Sequence, residues 1–189
     1  MPFNDDDELI TRSMAGDNAA FEALVKKYQD RVYNICRYML GAADAEDAAQ
    51  DAFVKAYRHL DRFTPSPSFK AWITRIAVNS CLDYKRKPAH VSLAMTSREG
   101  DEYTLEPQSD SPGPEAALES KKAGEAISAA LTGLSEKLRA VIVLYEIEGL
   151  SYEEISETLG ISIGTVKSRI SRAREELKRL LRSQMEQIS

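Results

Sequence analysis

Apolar positions in this chain recur at steps of three and four, the spacing that gathers side chains on one face of an α-helix. Phe21, Leu24, Val25, Tyr28, Val32, Ile35, Cys36 and Met39 form one such stripe. A second runs through Ala45, Ala49, Ala52, Phe53, Ala56, Tyr57, Leu60 and Phe63. Gly41 is expected to end the first helix, and Asp44 to cap the second. The run Thr64-Pro65-Ser66-Pro67-Ser68 then breaks the chain, because proline lacks an N–H and restricts the residue before it. A third helix is expected from about Phe69 to Lys87, stopped by Pro88. No segment alternates as a strand would. The fold class is all-α, with a compact helical bundle over residues 1–88.

Residues 89–115 change character. Ser, Pro, Gly and Asp recur, and six acids (Glu99, Asp101, Glu102, Glu106, Asp110, Glu115) face one base, Arg98. Such a stretch buries too little apolar surface to offset its ordering entropy, so it reads as a flexible acidic linker. Helical patterning resumes near Glu115 and breaks near Thr132-Gly133, Gly149 and Gly160. Residues 116–189 therefore read as a second small domain of four short helices, small enough that partner docking adds to its stability.

Within that domain lies a helix-turn-helix pattern. Ser151-Tyr152-Glu153-Glu154 has capping-box spacing, with Ser151 as N-cap and Glu154 three residues on. The helix it opens is expected to bury Ile155 and Leu159 and to end at Gly160. After the turn, Ser162 can cap a helix burying Ile163, Val166, Ile170, Ala173 and Leu177. That leaves Gly164, Lys167, Ser168, Ser171, Arg172 and Glu175 facing outward. A short helix, a glycine turn and a basic second helix are what a major-groove reader requires. Small residues at 164, 168 and 171 let the backbone approach a duplex, and Lys167 and Arg172 can reach guanine edges or phosphates.

Charge sharpens this picture. Net charge is −5, yet the charges are segregated. Residues 163–182 carry Lys167, Arg169, Arg172, Arg174, Lys178, Arg179 and Arg182 against Glu175 and Glu176. Residues 70–87 carry Lys70, Arg75, Lys85, Arg86 and Lys87 against Asp83. Two basic stripes on an acidic chain suggest two contacts with phosphate, with acidic faces left for a protein partner. Arg75, Asn79, Asp83 and Arg86 share one helical face at steps of four, four and three. There an Asn and an Asp can hydrogen-bond base edges while arginines hold phosphates.

Other classes find little support. The acidic N-terminus (Asn4, Asp5, Asp6, Asp7, Glu8) has the wrong charge for a signal peptide. Apolar runs such as residues 140–145 are too short to insert in a membrane. Cys36 and Cys81 lack CxxC spacing and read as reduced core thiols, which fits a cytoplasmic protein. His59 and His90 lie apart from each other and from both cysteines, and neither a metal-ligand spacing nor a glycine-rich phosphate loop appears. No catalytic residue, metal or cofactor is expected. A free-standing helix-turn-helix regulator would need a dimerising surface and no second nucleic-acid domain, and the basic face at 75–86 counts against it.

Three segments resemble a known family. Glu154-Ile155-Ser156-Glu157-Thr158-Leu159-Gly160-Ile161-Ser162-Ile163-Gly164-Thr165-Val166-Lys167-Ser168-Arg169-Ile170-Ser171-Arg172-Ala173-Arg174-Glu175 is similar to the C-terminal promoter-reading module of extracytoplasmic-function sigma factors. Asp44-Ala45-Glu46-Asp47-Ala48-Ala49-Gln50-Asp51-Ala52-Phe53 resembles that family's polymerase-docking helix. Phe69-Lys70-Ala71-Trp72-Ile73-Thr74-Arg75-Ile76-Ala77-Val78-Asn79 resembles its helix for the minus-ten promoter element.

The resemblance implies a sigma factor without catalysis of its own, whose partners are core RNA polymerase, promoter DNA and an anti-sigma factor, and which serves stress-responsive transcription. It implies polymerase docking through Asp47, Gln50, Asp51, Val54 and Arg58. Capture and opening of the minus-ten element would fall to Phe63, Ser66, Ser68, Arg75, Asn79, Asp83 and Arg86, with the loop from Phe63 to Ser68 pocketing a flipped base. Reading of the minus-thirty-five element would fall to Ser162, Gly164, Thr165, Lys167, Ser168, Ser171 and Arg172. Trp72, spaced with Phe69, Ile76 and Ala77, is assigned to the core. Ser171 stands where some relatives carry a bulky aromatic. Lys167 stands where arginine is frequent, and a lysine cannot form the planar bidentate pair with guanine.

Overall fold

The computed structural model describes residues 5–64, 68–86 and 114–188. Among them every regular element is helical: α1 (Asp5–Met14), α2 (Asn18–Leu40), α3 (Ala42–Arg58), a 3₁₀ turn (Leu60–Arg62), α4 (Phe69–Arg86), α5 (Pro114–Gly133), α6 (Glu136–Ile142), a π turn (Val143–Ile147), α7 (Tyr152–Leu159) and α8 (Ile163–Ile188). The acidic linker lies largely outside the described residues.

Helix α1 has no counterpart in the sequence reading, which treated the acidic tip only as charge. Four acids occupy its first turn, where the helix dipole favours them. Its Asp6 carboxylate is buried and accepts hydrogen bonds from Lys27 Nζ and Tyr28 Oη, both at 2.6 Å. Burial and the Asp6 hydrogen bond push the Tyr28 phenol well above its ordinary pKa. Asp17 caps α2, accepting from the amides of Ala19 and Ala20.

Gly41 ends α2 as expected, but Asp44 is not a cap. With φ at 96°, Gly41 makes a turn that a Cβ would oppose, so α3 starts at Ala42 and Gly41 takes the N-cap position. Asp44 falls inside the first turn, where it accepts from Tyr84 Oη at 3.4 Å. The α3 stripe of Ala45, Ala48, Ala49, Ala52 and Ala56 is buried where α3 packs on α2 and α4, and alanines let the axes come close. Tyr57, expected in that stripe, is 50% exposed. Its hydroxyl donates to Asn18 Oδ1 at 2.9 Å, and its ring meets Phe21 edge-on. Trp72 is half-buried against Phe63 and Phe69, ring centroids 5.4 and 5.5 Å away.

Chain breaks at Gly133, Gly149 and Gly160 fall where the sequence predicts them. The helices of this half are not all short: α5 has 20 residues and α8 has 26. α8 meets no glycine or proline after Gly164, and Leu177 and Leu180 keep it docked where α5 ends. A Cβ at Gly133 would lie 3.1 Å from Leu180 Cδ1, so the two helices meet at a residue without a side chain.

The halves share one buried core. α2 touches α5, α6 and the π turn, and α4 touches α7.

Candidate nucleic-acid interface

The helix-turn-helix is built by local chemistry. Ser151 Oγ accepts from Glu154 N at 3.2 Å while the Glu154 carboxylate accepts from Ser151 N at 2.8 Å, completing the capping box. α7 buries Ile155 and Thr158, with Leu159 half-buried. Gly160, with φ 63° and ψ 39°, closes the helix in the left-handed region, and its N–H reaches Ser156 O. Ser162 Oγ accepts from Thr165 N at 3.2 Å and so caps α8.

On α8, Val166, Ile170 and Ala173 are buried. Ile163 departs from expectation at 38% exposed, at the first position of α8. Ser162, Gly164, Lys167, Ser168, Ser171 and Arg172 are exposed, and Thr165 is half-buried. A Cβ at Gly164 would meet nothing closer than Ser162 Oγ at 3.9 Å, which leaves its outer side open.

The basic face of α8 is partly occupied by aromatic and acidic neighbours. Lys167 Nζ lies 5.8 Å from the centroid of Tyr152, and Arg174 Cζ 5.2 Å from that of Tyr145; the two rings stack on each other at 5.2 Å. Arg174 also pairs with Glu146 at 2.6 Å, which raises its guanidinium pKa. The neighbouring Tyr145 hydroxyl raises the Tyr152 phenol. Sequence reasoning missed Tyr145, Glu146 and Tyr152, because nothing in local spacing shows that the π turn and α7 bring them against α8.

The second face lies on α4. Arg75, Asn79 and Asp83 are exposed in one line, and Asp83 pairs with Lys55 of α3 at 3.3 Å. Phe63 is turned inward, 9% exposed, with its ring edge-on to Phe69 and Trp72. It anchors the start of the loop instead of presenting its ring. Ser68 is exposed and its hydroxyl accepts from Ala71 N. Ser66 lies outside the described residues, as does the side chain of Arg86. On α3, Asp47, Gln50, Asp51, Val54 and Arg58 are all exposed, Val54 at 48%. Lys55–Asp83 joins this surface to the α4 face, whereas the α8 face belongs to the other half.

No group of three or more His, Cys, Asp or Glu able to hold a metal occurs among the described residues. No helix among them is long and apolar enough to cross a membrane.

Comparison with known proteins bears on both faces. Residues 24–90 match the family described as Sigma-70 region 2, and residues 124–177 match Sigma-70, region 4. The chain is 40% identical over 177 residues to the ECF RNA polymerase sigma factor SigW of Bacillus subtilis, covering 92% of this chain and 95% of that protein. The chain belongs to the ECF sigma factors of bacterial RNA polymerase. It is thus a promoter-specific RNA polymerase sigma factor, of a class that binds DNA and is non-catalytic. It is 38% identical to the ECF sigma factor SigE of Mycolicibacterium smegmatis, covering 86% of this chain and spanning 63% of that longer protein. Among solved structures, the sigma factor RpoE of Bartonella quintana, in complex with the anti-sigma factor NepR, superposes with a TM-score of 0.61 at 26% identity. That match covers 86% of this chain and 96% of RpoE.

Proposed function

We propose that this ECF sigma factor reads two promoter elements through its two exposed polar faces while α3 docks on core RNA polymerase. The observation that carries this reading is the pairing of two basic faces, on α4 and on α8, within one acidic chain. On α8, Ser162, Gly164, Thr165, Lys167, Ser168, Ser171 and Arg172 face the major groove of the minus-thirty-five element. Gly164, Ser168 and Ser171 keep the helix surface low, and Lys167 and Arg172 supply the long donors. On α4, Arg75 and Arg86 hold phosphates while Asn79 and Asp83 address bases of the minus-ten element. Phe63 fixes the entrance of the loop whose Ser66 and Ser68 meet an extruded base, and extrusion costs a few kcal/mol that stacking and edge contacts return.

Asp47, Gln50, Asp51, Val54 and Arg58 form the polymerase-docking surface: acids for a basic partner around an exposed valine. The chain works in the cytoplasm, performs no catalysis, and is held inactive by an anti-sigma factor, as the complex of RpoE with NepR suggests for a relative. Residues 1–88 and 116–189 act as the two promoter modules, and 89–115 as their linker.

Purified protein added to core polymerase is expected to give promoter-specific transcripts, while the protein alone binds duplex DNA weakly. Tight dimeric binding to a palindrome without polymerase would overturn the reading.

A further inference from the structure

Cys36 and Cys81 are the chain's two cysteines, 45 positions apart, and nothing in their spacing pairs them. The fold does. Cys36 stands on α2 and Cys81 on α4, where those helices pack, with 0% and 1% of each residue exposed. Both thiols are free, and Cys81 donates its S–H to Cys36 Sγ across 3.5 Å. Packed interiors hold side chains in fixed rotamers, so the two sulfurs stay neighbours for as long as the bundle is folded.

The surroundings of the pair govern its reactivity. The hydrogen bond to Cys36, then burial, push the Cys81 thiol well above its ordinary pKa, while the charge of Lys55 acts in the opposite sense. With Cys81 held protonated, Cys36 is the sulfur that attacks and Cys81 the one that resolves. Both lie away from water, so reaction waits on local opening of the bundle. That makes it slow and favours a small, uncharged oxidant.

We infer that Cys36 and Cys81 form a modification site, a reversible intramolecular disulfide made by hydrogen peroxide, which fixes α4 to α2 and hinders promoter opening. The disulfide is a property of this chain, and only its effect on opening rests on the function proposed above. The Cys36 thiolate attacks one peroxide oxygen, the O–O bond breaks, and the departing hydroxide takes up the Cys36 proton as water. Cys36 is then a sulfenic acid. The Cys81 sulfur attacks it, the S–S bond forms, the S–O bond breaks, and hydroxide leaves with the Cys81 proton as a second water. The thiols have given up two hydrogens and two electrons, and the peroxide has been reduced to two waters. Return needs a dithiol reductant, acting through a mixed disulfide. In a reducing compartment, a disulfide that does form is usually transient and redox-sensing.

Cys81 lies two residues from Asn79 and two from Asp83, and it is buried where they are exposed. Bond formation draws the sulfurs from contact to bonding distance and removes the freedom of α4 to shift against α2. Asn79 and Asp83 must follow the strands as they part, so a fixed α4 meets the element but opens it poorly.

The test uses the full chain. Wild type is treated with hydrogen peroxide, freed of it, and its intact mass is read before and after a dithiol reductant. It should lose two hydrogens, stay a monomer on a non-reducing gel, and regain both hydrogens on reduction. Cys36→Ala and Cys81→Ala should show no such loss. An unchanged wild-type mass, added oxygen without loss of hydrogen, or a disulfide between chains would overturn the site. Each alanine leaves a cavity in the core, so the oxidised and reduced forms of wild type are also compared directly. Assembled with untreated core polymerase, the oxidised form should bind it as the reduced form does and open the promoter several-fold less by permanganate footprint. Reductant should restore opening, and Cys81→Ala should open equally with and without prior peroxide. Equal opening by both forms of wild type, or a loss that Cys81→Ala shares, would overturn the effect on the promoter. A disulfide that forms and reverses, with no promoter-directed initiation by any version, would refute the functional reading and leave the site standing.

Discussion

Lys167 on α8 holds its ammonium 5.8 Å from the centre of the Tyr152 ring at the start of α7. A lysine carries much rotamer entropy, and a ring beneath its cation narrows that freedom before DNA arrives. Tyr152→Leu is expected to weaken binding of the minus-thirty-five duplex about two- to fivefold. Tyr152→Phe keeps the ring and should behave as wild type. In a Lys167→Ala background the Leu substitution should cost nothing further, whereas a purely structural role for Tyr152 would cost the same in both backgrounds.

Arg172→Ala and Lys167→Ala should each weaken that element by about 1–3 kcal/mol if they read bases, or uniformly across sequences with a lower salt slope if they hold phosphate. Both side chains are exposed, off the Val166–Ile170–Ala173 seam, so melting temperatures should hold. Titrating variant holoenzymes against promoters altered at single base pairs separates the two outcomes. Unchanged preference in both variants would show that another face reads the DNA.

Asp83 is tied to Lys55 of α3, while Asn79 stands on the same exposed face one turn away. Asn79→Ala and Asp83→Ala should impair promoter opening and leave polymerase binding intact. A permanganate footprint of the melted strand checks this, and wild-type footprints from both variants would contradict the assignment. Lys55→Ala serves as the control for the ion pair itself, with an expected effect below about 1 kcal/mol at this exposed site.

Asp6→Ala should lower stability by about 1–3 kcal/mol, because it leaves the buried Tyr28 hydroxyl without its acceptor. Denaturant unfolding measures it. A loss under about 0.5 kcal/mol would mean that α1 docks through its apolar residues alone.

Ser151→Ala removes one arm of the capping box and should cost about 1 kcal/mol. The loss should appear in thermal unfolding of the whole chain, since Ile155 of α7 belongs to the core that both halves share.

Most of the fold was legible in the sequence because its determinants are local. Three- and four-residue spacing marked α2, α3 and α4. Gly133, Gly149 and Gly160 marked the breaks, and the Ser151–Glu154 spacing marked a capping box whose two bonds are both made. Such signals act within one or two helical turns, so they survive in any context. Errors arose where a neighbouring turn or distant chain intervened. Asp44 lost the cap to the turn at Gly41, Ile163 stands exposed at the first position of α8, and α1 acquired its reason from Lys27 and Tyr28.

The sequence by itself determined an all-helical chain carrying two outward polar faces, because periodicity decides which side of a helix is apolar. Only the tertiary structure decided what lies beside those faces: Tyr152 under Lys167, Lys55 on Asp83, Glu146 on Arg174. It alone decided that Arg139 caps two helices and that Glu148 reaches Arg31 across 117 positions of chain. A buried charge is tolerated only where the assembled backbone supplies its partners, and no spacing within one helix records where another helix will end.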